Sequence, residues 1–265
     1  MFREKFGKSS VPKNEHPSEE ELEHARKAYE EADPTQSSHL NLSGEVNIQW
    51  GEAKGRGAPF AEHATGTYIE LDSTKRPREQ QAIARLVKGI IPIADIVSYD
   101  QEYVSRFSKV MPLEKIEANT SEAQMLAYID FMYLVFGDED RREHGDLQHN
   151  YEHVGGKAIL YDFGNFDLTT IPLTTAPQNR RNQTLESLTE LVDELNTFHT
   201  RIEGEQGRDF LKAVLASSDI APKDLYQVSY GETTIEDLHE QLLARTNRAL
   251  LIAQNERRAL EAAEA

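Results

Sequence analysis

The chain has 265 residues and 46 Asp plus Glu against 29 Lys plus Arg, a formal charge of −17. A surface that acidic is a poor match for a phosphate backbone and argues against general nucleic-acid binding. With no cysteine in the chain, disulfides, thiol nucleophiles and thiolate metal sites are excluded. An apolar share of 38% suffices for a folded core. No apolar run approaches the roughly 20 residues of a bilayer span, and Met1–Lys13 lacks the apolar core of a signal peptide. A soluble, cytoplasmic protein without membrane insertion is expected.

Residues 1–16 read as a polar arm. Ser18 with Glu21 has the spacing of a capping box, and Leu22, Ala25, Ala28 and Tyr29 then share one helical stripe. From Leu40 to Trp50 polar and apolar residues alternate, which favours a strand or hairpin. GEAKGRGAP, residues 51–59, reads as a loop, and TGTYIELD, residues 65–72, as a second strand. Pro77 suits a first helical turn and Gly89 a helix stop, so the spacing predicts a helix between them. IPIADIVSY and SRFSKVMPL are two further strand candidates.

Beyond residue 113 the texture turns helical. Asn119 with Glu122 gives a capping signal for a helix carrying Ala123, Leu126, Ile129, Tyr133 and Phe136. A charged stretch, GDEDRREHGDLQHNYEH, follows, then a short strand in KAILYDFG. Residues 184–201 and 205–217 read as helices. Thr233 with Glu236 is expected to cap a long last helix that turns Ile235, Leu238, Leu242, Ala249 and Ile252 inward. Strands first and helices second imply an α+β protein of two lobes. The expected division is an arm and helix over 1–37, a strand-rich N-lobe over 38–113 and a helical C-lobe over 114–265.

The chemistry concentrates in residues 144–164. His144-Gly145-Asp146 is followed by Asn150, a glycine turn at Gly155-Gly156, and then Asp162-Phe163-Gly164. An H-x-D loop, an Asn, a hairpin and Asp-Phe-Gly in that order resemble the catalytic centre of protein-kinase-like phosphotransferases. The HGD spelling is similar to that of small-molecule kinases of the aminoglycoside and choline type and of some atypical protein kinases. The resemblance implies a two-lobed protein-kinase-like fold, ATP and Mg²⁺ as cofactors, and a hydroxyl-bearing acceptor, protein or small molecule.

Phosphoryl transfer requires an attacking hydroxyl held in line and metal-neutralised phosphates. By resemblance Asp146 would be the catalytic base, and Asp162 and Asn150 would be the oxygen ligands of Mg²⁺. Phe163 would pack in the core and orient Asp162, and His144 would orient the loop. The spacing departs from the family pattern: Asp146 to Asn150 is one position short of the usual gap. Asp140-Arg141 offers a second reading, similar to the D-R pair of lipid-kinase-like relatives.

Upstream, Gly51, Gly55 and Gly57 would cover phosphates through backbone N–H groups, Glu79 would be the helix glutamate, and Met111 would lie in the hinge against adenine. The strand lysine of the family has no clear counterpart, since Glu70 stands at the expected place. Lys54 is the candidate; a chain lacking this lysine is the other reading, and with it a pseudokinase-type module that binds nucleotide and presents a surface to a partner. Thr169, Thr170, Thr174 and Thr175 follow the Asp-Phe-Gly, and Ala176-Pro177-Gln178 faintly resembles the A-P-E motif. His144, His149 and His153 crowd one stretch, but a transition-metal site is the lesser reading. The acidic run beside Asp146 would suit a basic acceptor.

Overall fold

A computed structural model describes residues 60–63, 66–71, 76–99, 102–107, 120–138, 151–154, 157–160, 163–176 and 182–265. The expectations for the N-terminal arm, the helix after Ser18, the strand at 40–50 and the glycine loop lie outside these residues. Four short strands come first: β1 (Phe60–His63), β2 (Gly66–Leu71), β3 (Asp95–Tyr99) and β4 (Glu102–Phe107). They pair antiparallel in the order β1-β2-β4-β3, with Phe60 opposite Ile69, Ile69 opposite Ser105 and Ser105 opposite Ile96.

Helix α1 (Pro77–Val87) is inserted between β2 and β3. Its limits follow the local chemistry. Pro77 occupies the first turn, where its missing N–H costs nothing. At the other end Gly89 takes φ +75°, a left-handed conformation that ends the helix. One face, with Ala82, Ile83, Leu86 and Val87, is buried. The Gln81 side-chain amide donates to the Ile96 carbonyl at 2.6 Å and ties the helix to β3.

Helix α2 (Glu122–Phe131) continues without a break into a π-helical turn, Met132–Phe136. Its cap is Ser121 with Gln124, in a reciprocal capping box, rather than Asn119 with Glu122. A hairpin follows, β5 (Tyr151–Val154) with β6 (Lys157–Leu160), pairing Val154 opposite Lys157. The later elements are all helices: α3 (Leu185–Ile202), α4 (Gly204–Ser217), the single turn α5 (Pro222–Leu225) and the 30-residue α6 (Ile235–Glu264). Thr234 with Asp237 caps α6, one residue later than Thr233 with Glu236.

The α+β, two-lobed protein-kinase-like fold with a strand-rich N-lobe is not what these residues form. Helix predominates among the described residues, and the strands are only four to six residues long. The physical reason lies in the packing. Among the described residues one hydrophobic cluster runs from Leu71 and Ile83 through Phe131, Phe136 and Phe163 to Phe198, Leu242 and Ile252. Helix α3 is the hub, packed against both α2 and α6.

Helix α1 joins this helical body directly instead of facing it across a cleft. Buried Arg85 donates to the hydroxyls of Ser217 at 2.6 Å and Ser218 at 3.1 Å. Arg201 of α3 donates to the carbonyls of Leu86 and Lys88, at 3.0 and 2.7 Å, and so satisfies the open end of α1. Among the described residues no helix is long and apolar enough to cross a membrane.

Candidate functional site

Most of the residues nominated for phosphoryl transfer lie outside the described residues: Asp146, Asn150, Asp162, Gly51, Lys54, Gly55, Gly57 and Met111, with Asp140, Arg141, His144 and His149. Of His153 only the backbone position in β5 is described. The structure therefore describes the frame on either side of the proposed site, together with Glu79.

Glu79 sits in the first turn of α1 and pairs with Arg76 Nε at 3.5 Å, three residues back. Arg76 is itself unusual. It precedes the helix in a left-handed conformation, φ +52°, and its guanidinium lies 3.8 Å from the centre of the Phe166 ring. It also donates to the carbonyls of Phe166 at 3.3 Å and Asp224 at 2.7 Å. The stacking and the two hydrogen bonds hold an uncommon backbone conformation in place. They bring the acidic start of α1 beside the segment that leaves Asp-Phe-Gly.

That segment is anchored on both sides of residues 161–162. Leu160, the last residue of β6, donates its N–H to Pro92 O at 2.9 Å and accepts from Ala94 N–H at 2.7 Å, a parallel bridge centred on Ile93. Phe163 is fully buried in the core, as expected of it. The chain then crosses the end of the π turn, where Asp167 N–H donates to Phe136 O at 3.0 Å. Gly137 lies under this crossing with φ +69°, and a Cβ there would stand 2.0 Å from Asp167 O. No other residue fits.

Electrostatics fix the next turn. Asp167 accepts from the N–H and hydroxyl of Thr169 at 2.7 and 2.6 Å. Burial acts to raise its carboxyl, but the bonds from Thr169 and Thr170 outweigh it and hold the group below its ordinary value. Arg245 of α6 is almost fully buried beside it. Arg245 Nε donates to Val135 O at 2.6 Å and Nη1 donates to Thr170 O. Burial pulls its guanidinium down to about 10, against the opposing charge of Asp167, so it stays protonated at neutral pH.

Further along, the Thr175 hydroxyl donates to Glu256 at 2.7 Å. Buried Asp130 accepts from Ala176 N–H at 2.8 Å and from the Gln183 amide at 3.1 Å, and so holds both sides of residues 177–181. Among the described residues no cluster of three His, Asp or Glu side chains is arranged to hold a metal ion.

Arg76, Asp130 and Arg245 were not singled out from the sequence. Arg245 did leave a signal: it falls on the inward stripe of α6, three residues after Leu242 and four before Ala249. A charged residue at that register invites a search for buried partners. Glu79 apart, the partners described above for Arg76 and Asp130 lie 46 to 148 residues away in the chain, beyond the reach of local pattern.

Comparison of the chain with protein-family models and with curated proteins found no match.

Proposed function

We propose that this protein is an Mg²⁺- and ATP-dependent phosphotransferase that moves the γ-phosphate to a hydroxyl of a protein or small molecule. The observation that carries the proposal is the ordered set Asp146, Asn150 and Asp162-Phe163-Gly164, interrupted by the β5–β6 hairpin. The resemblance supports the chemistry and not the fold. Two structural facts support the reading. Phe163 is buried in the core, as the partner of a metal-binding aspartate would be, and Leu160 is tethered to Pro92 and Ala94. In this scheme Asp146 accepts the proton of the attacking hydroxyl. Asp162 and Asn150 present oxygens to Mg²⁺, which would neutralise charge on the phosphates.

A basic acceptor fits the acidic run around Asp146, since opposite charges favour encounter. The cytoplasm, where ATP is abundant and disulfides are rare, is the proposed location of this cysteine-free chain. A second reading is favoured by one observation. Glu70 stands where the family carries its lysine, and Glu79 pairs with Arg76 among the described residues. On that reading the chain holds nucleotide without fast transfer and acts as an interaction module.

Turnover of γ-labelled ATP by the purified protein separates the two. Wild-type turnover that falls at least about a thousandfold in Asp146→Ala and in Asp162→Ala supports the enzyme. An inactive wild type that still binds Mg·ATP supports the module. Wild-type turnover that survives both substitutions overturns the assignment of residues.

A further inference from the structure

Two stretches of chain that flank the proposed catalytic residues are joined by a backbone hydrogen bond. The π turn ending at Phe136 leads toward Asp146, and the segment from Phe163 to Thr170 leads away from Asp162. They meet where Asp167 N–H bonds Phe136 O, with Gly137 directly beneath Asp167 O. Arg245 reaches this crossing from α6 and bonds one carbonyl on each stretch, Val135 O and Thr170 O.

Burying a guanidinium costs several kcal/mol unless its donors are used. A planar fork with donors pointing in different directions can bind two carbonyls on separate segments, which a single ammonium does poorly. Among the described residues, Nη2 of Arg245 is buried without a hydrogen-bond partner. An apolar residue of similar length would fill the same space but leave the carbonyls of Val135 and Thr170 without this donor.

We propose that Arg245 is a positioning residue that keeps the stretch entering the catalytic loop in register with the stretch leaving the metal-binding Asp162. The role rests on the phosphotransferase reading. Arg245 touches no reacting atom and acts through the two backbones it joins. A shift of about 1 Å between base and metal ligand is enough to cost orders of magnitude in rate.

The test compares wild type, Arg245→Met and Arg245→Lys by steady-state turnover of Mg·ATP and by amide hydrogen exchange over residues 132–138 and 163–170. Arg245→Met is expected to lower kcat at least about tenfold while KM for ATP changes by less than about twofold. Exchange should accelerate in both stretches together. Arg245→Lys, which keeps the charge but replaces the planar fork with a single ammonium, should recover part of both losses, and it carries the measurement if the Met variant does not fold. An active wild type whose Arg245→Met variant keeps its kcat, or exchanges faster in only one stretch or in neither, overturns the role of Arg245. A wild type without turnover overturns the phosphotransferase reading, and the alignment role with it.

Discussion

Among the described residues, Glu194 of α3 is the carboxyl held furthest above its ordinary value. Its carboxyl is pushed up to about 7, first by burial and then by the charges of Glu190 and Asp193. In the unfolded chain it ionises near 4.5. Between those values the folded protein holds a proton that the unfolded chain has released. Stability therefore falls as pH rises through that window. Tyr128 adds no slope there, because burial, helped by Glu194 and Glu190, pushes its hydroxyl up to about 12. Glu194→Gln should flatten the decline and, at about pH 8, gain on the order of 1 kcal/mol after solvent screening of a half-exposed group. Urea midpoints measured across the range check this. An identical pH slope in the variant would assign the decline to other groups.

At the scale of elements, the capping boxes show how local chemistry sets a helix start and how little shifts it. Thr233 and Thr234 are both fair caps, and each is followed three residues later by an acid, Glu236 and Asp237. Thr234 takes the role: its hydroxyl accepts from Asp237 N–H, while the Asp237 carboxylate accepts from Thr234 N–H. The Thr233 hydroxyl is engaged elsewhere and accepts from Val228 N–H at 3.2 Å. That bond comes from five residues back and distinguishes two locally similar candidates. Thr234→Ala should cost ~1 kcal/mol, the usual worth of such a cap. Thr233→Ala should cost less, since only one 3.2 Å bond is lost. Chemical denaturation of the two variants ranks them, and the reverse order would move the cap back to the position read from sequence. The same logic applies to Ser121 with Gln124, where the cap sits two residues past Asn119.

For the whole molecule, the continuous core has a direct consequence. Phe131, Phe136 and Phe198 form a ring cluster with centroids 5.5 to 6.4 Å apart, drawn from α2, the π turn and α3. The same core holds Ile83 and Leu86 of α1 and Leu71 of β2. Elements that share one core lose their packing together. Calorimetry should therefore show one unfolding transition, and Phe198→Ala, costing ~3–5 kcal/mol, should move it as a unit by roughly 10 °C. Two resolved transitions, with only the later one shifted, would restore a two-lobed picture.

Much of the local structure was legible in the sequence because its causes are local. Pro77 and Gly89 bracket α1, TYIEL forms β2, and the inward stripe of Leu238, Leu242, Ala249 and Ile252 is buried. The lack of cysteine excluded thiol and disulfide chemistry before any fold was considered. The order of Asp146, Asn150 and Asp162-Phe163-Gly164 is a property of the sequence, and the proposed chemistry stands on it. The docking of α1 was not legible. It depends on Arg85 meeting Ser217 and on Arg201 meeting Leu86, pairs more than 100 residues apart. Nor was the role of Arg245, whose partners Val135 and Thr170 are on other elements. Periodicity tells which face of a helix is apolar, but not which neighbour covers it. Capping and hydrophobic spacing thus determined where most elements begin and end, while long-range hydrogen bonds and shared burial decided that they close around one core rather than two lobes.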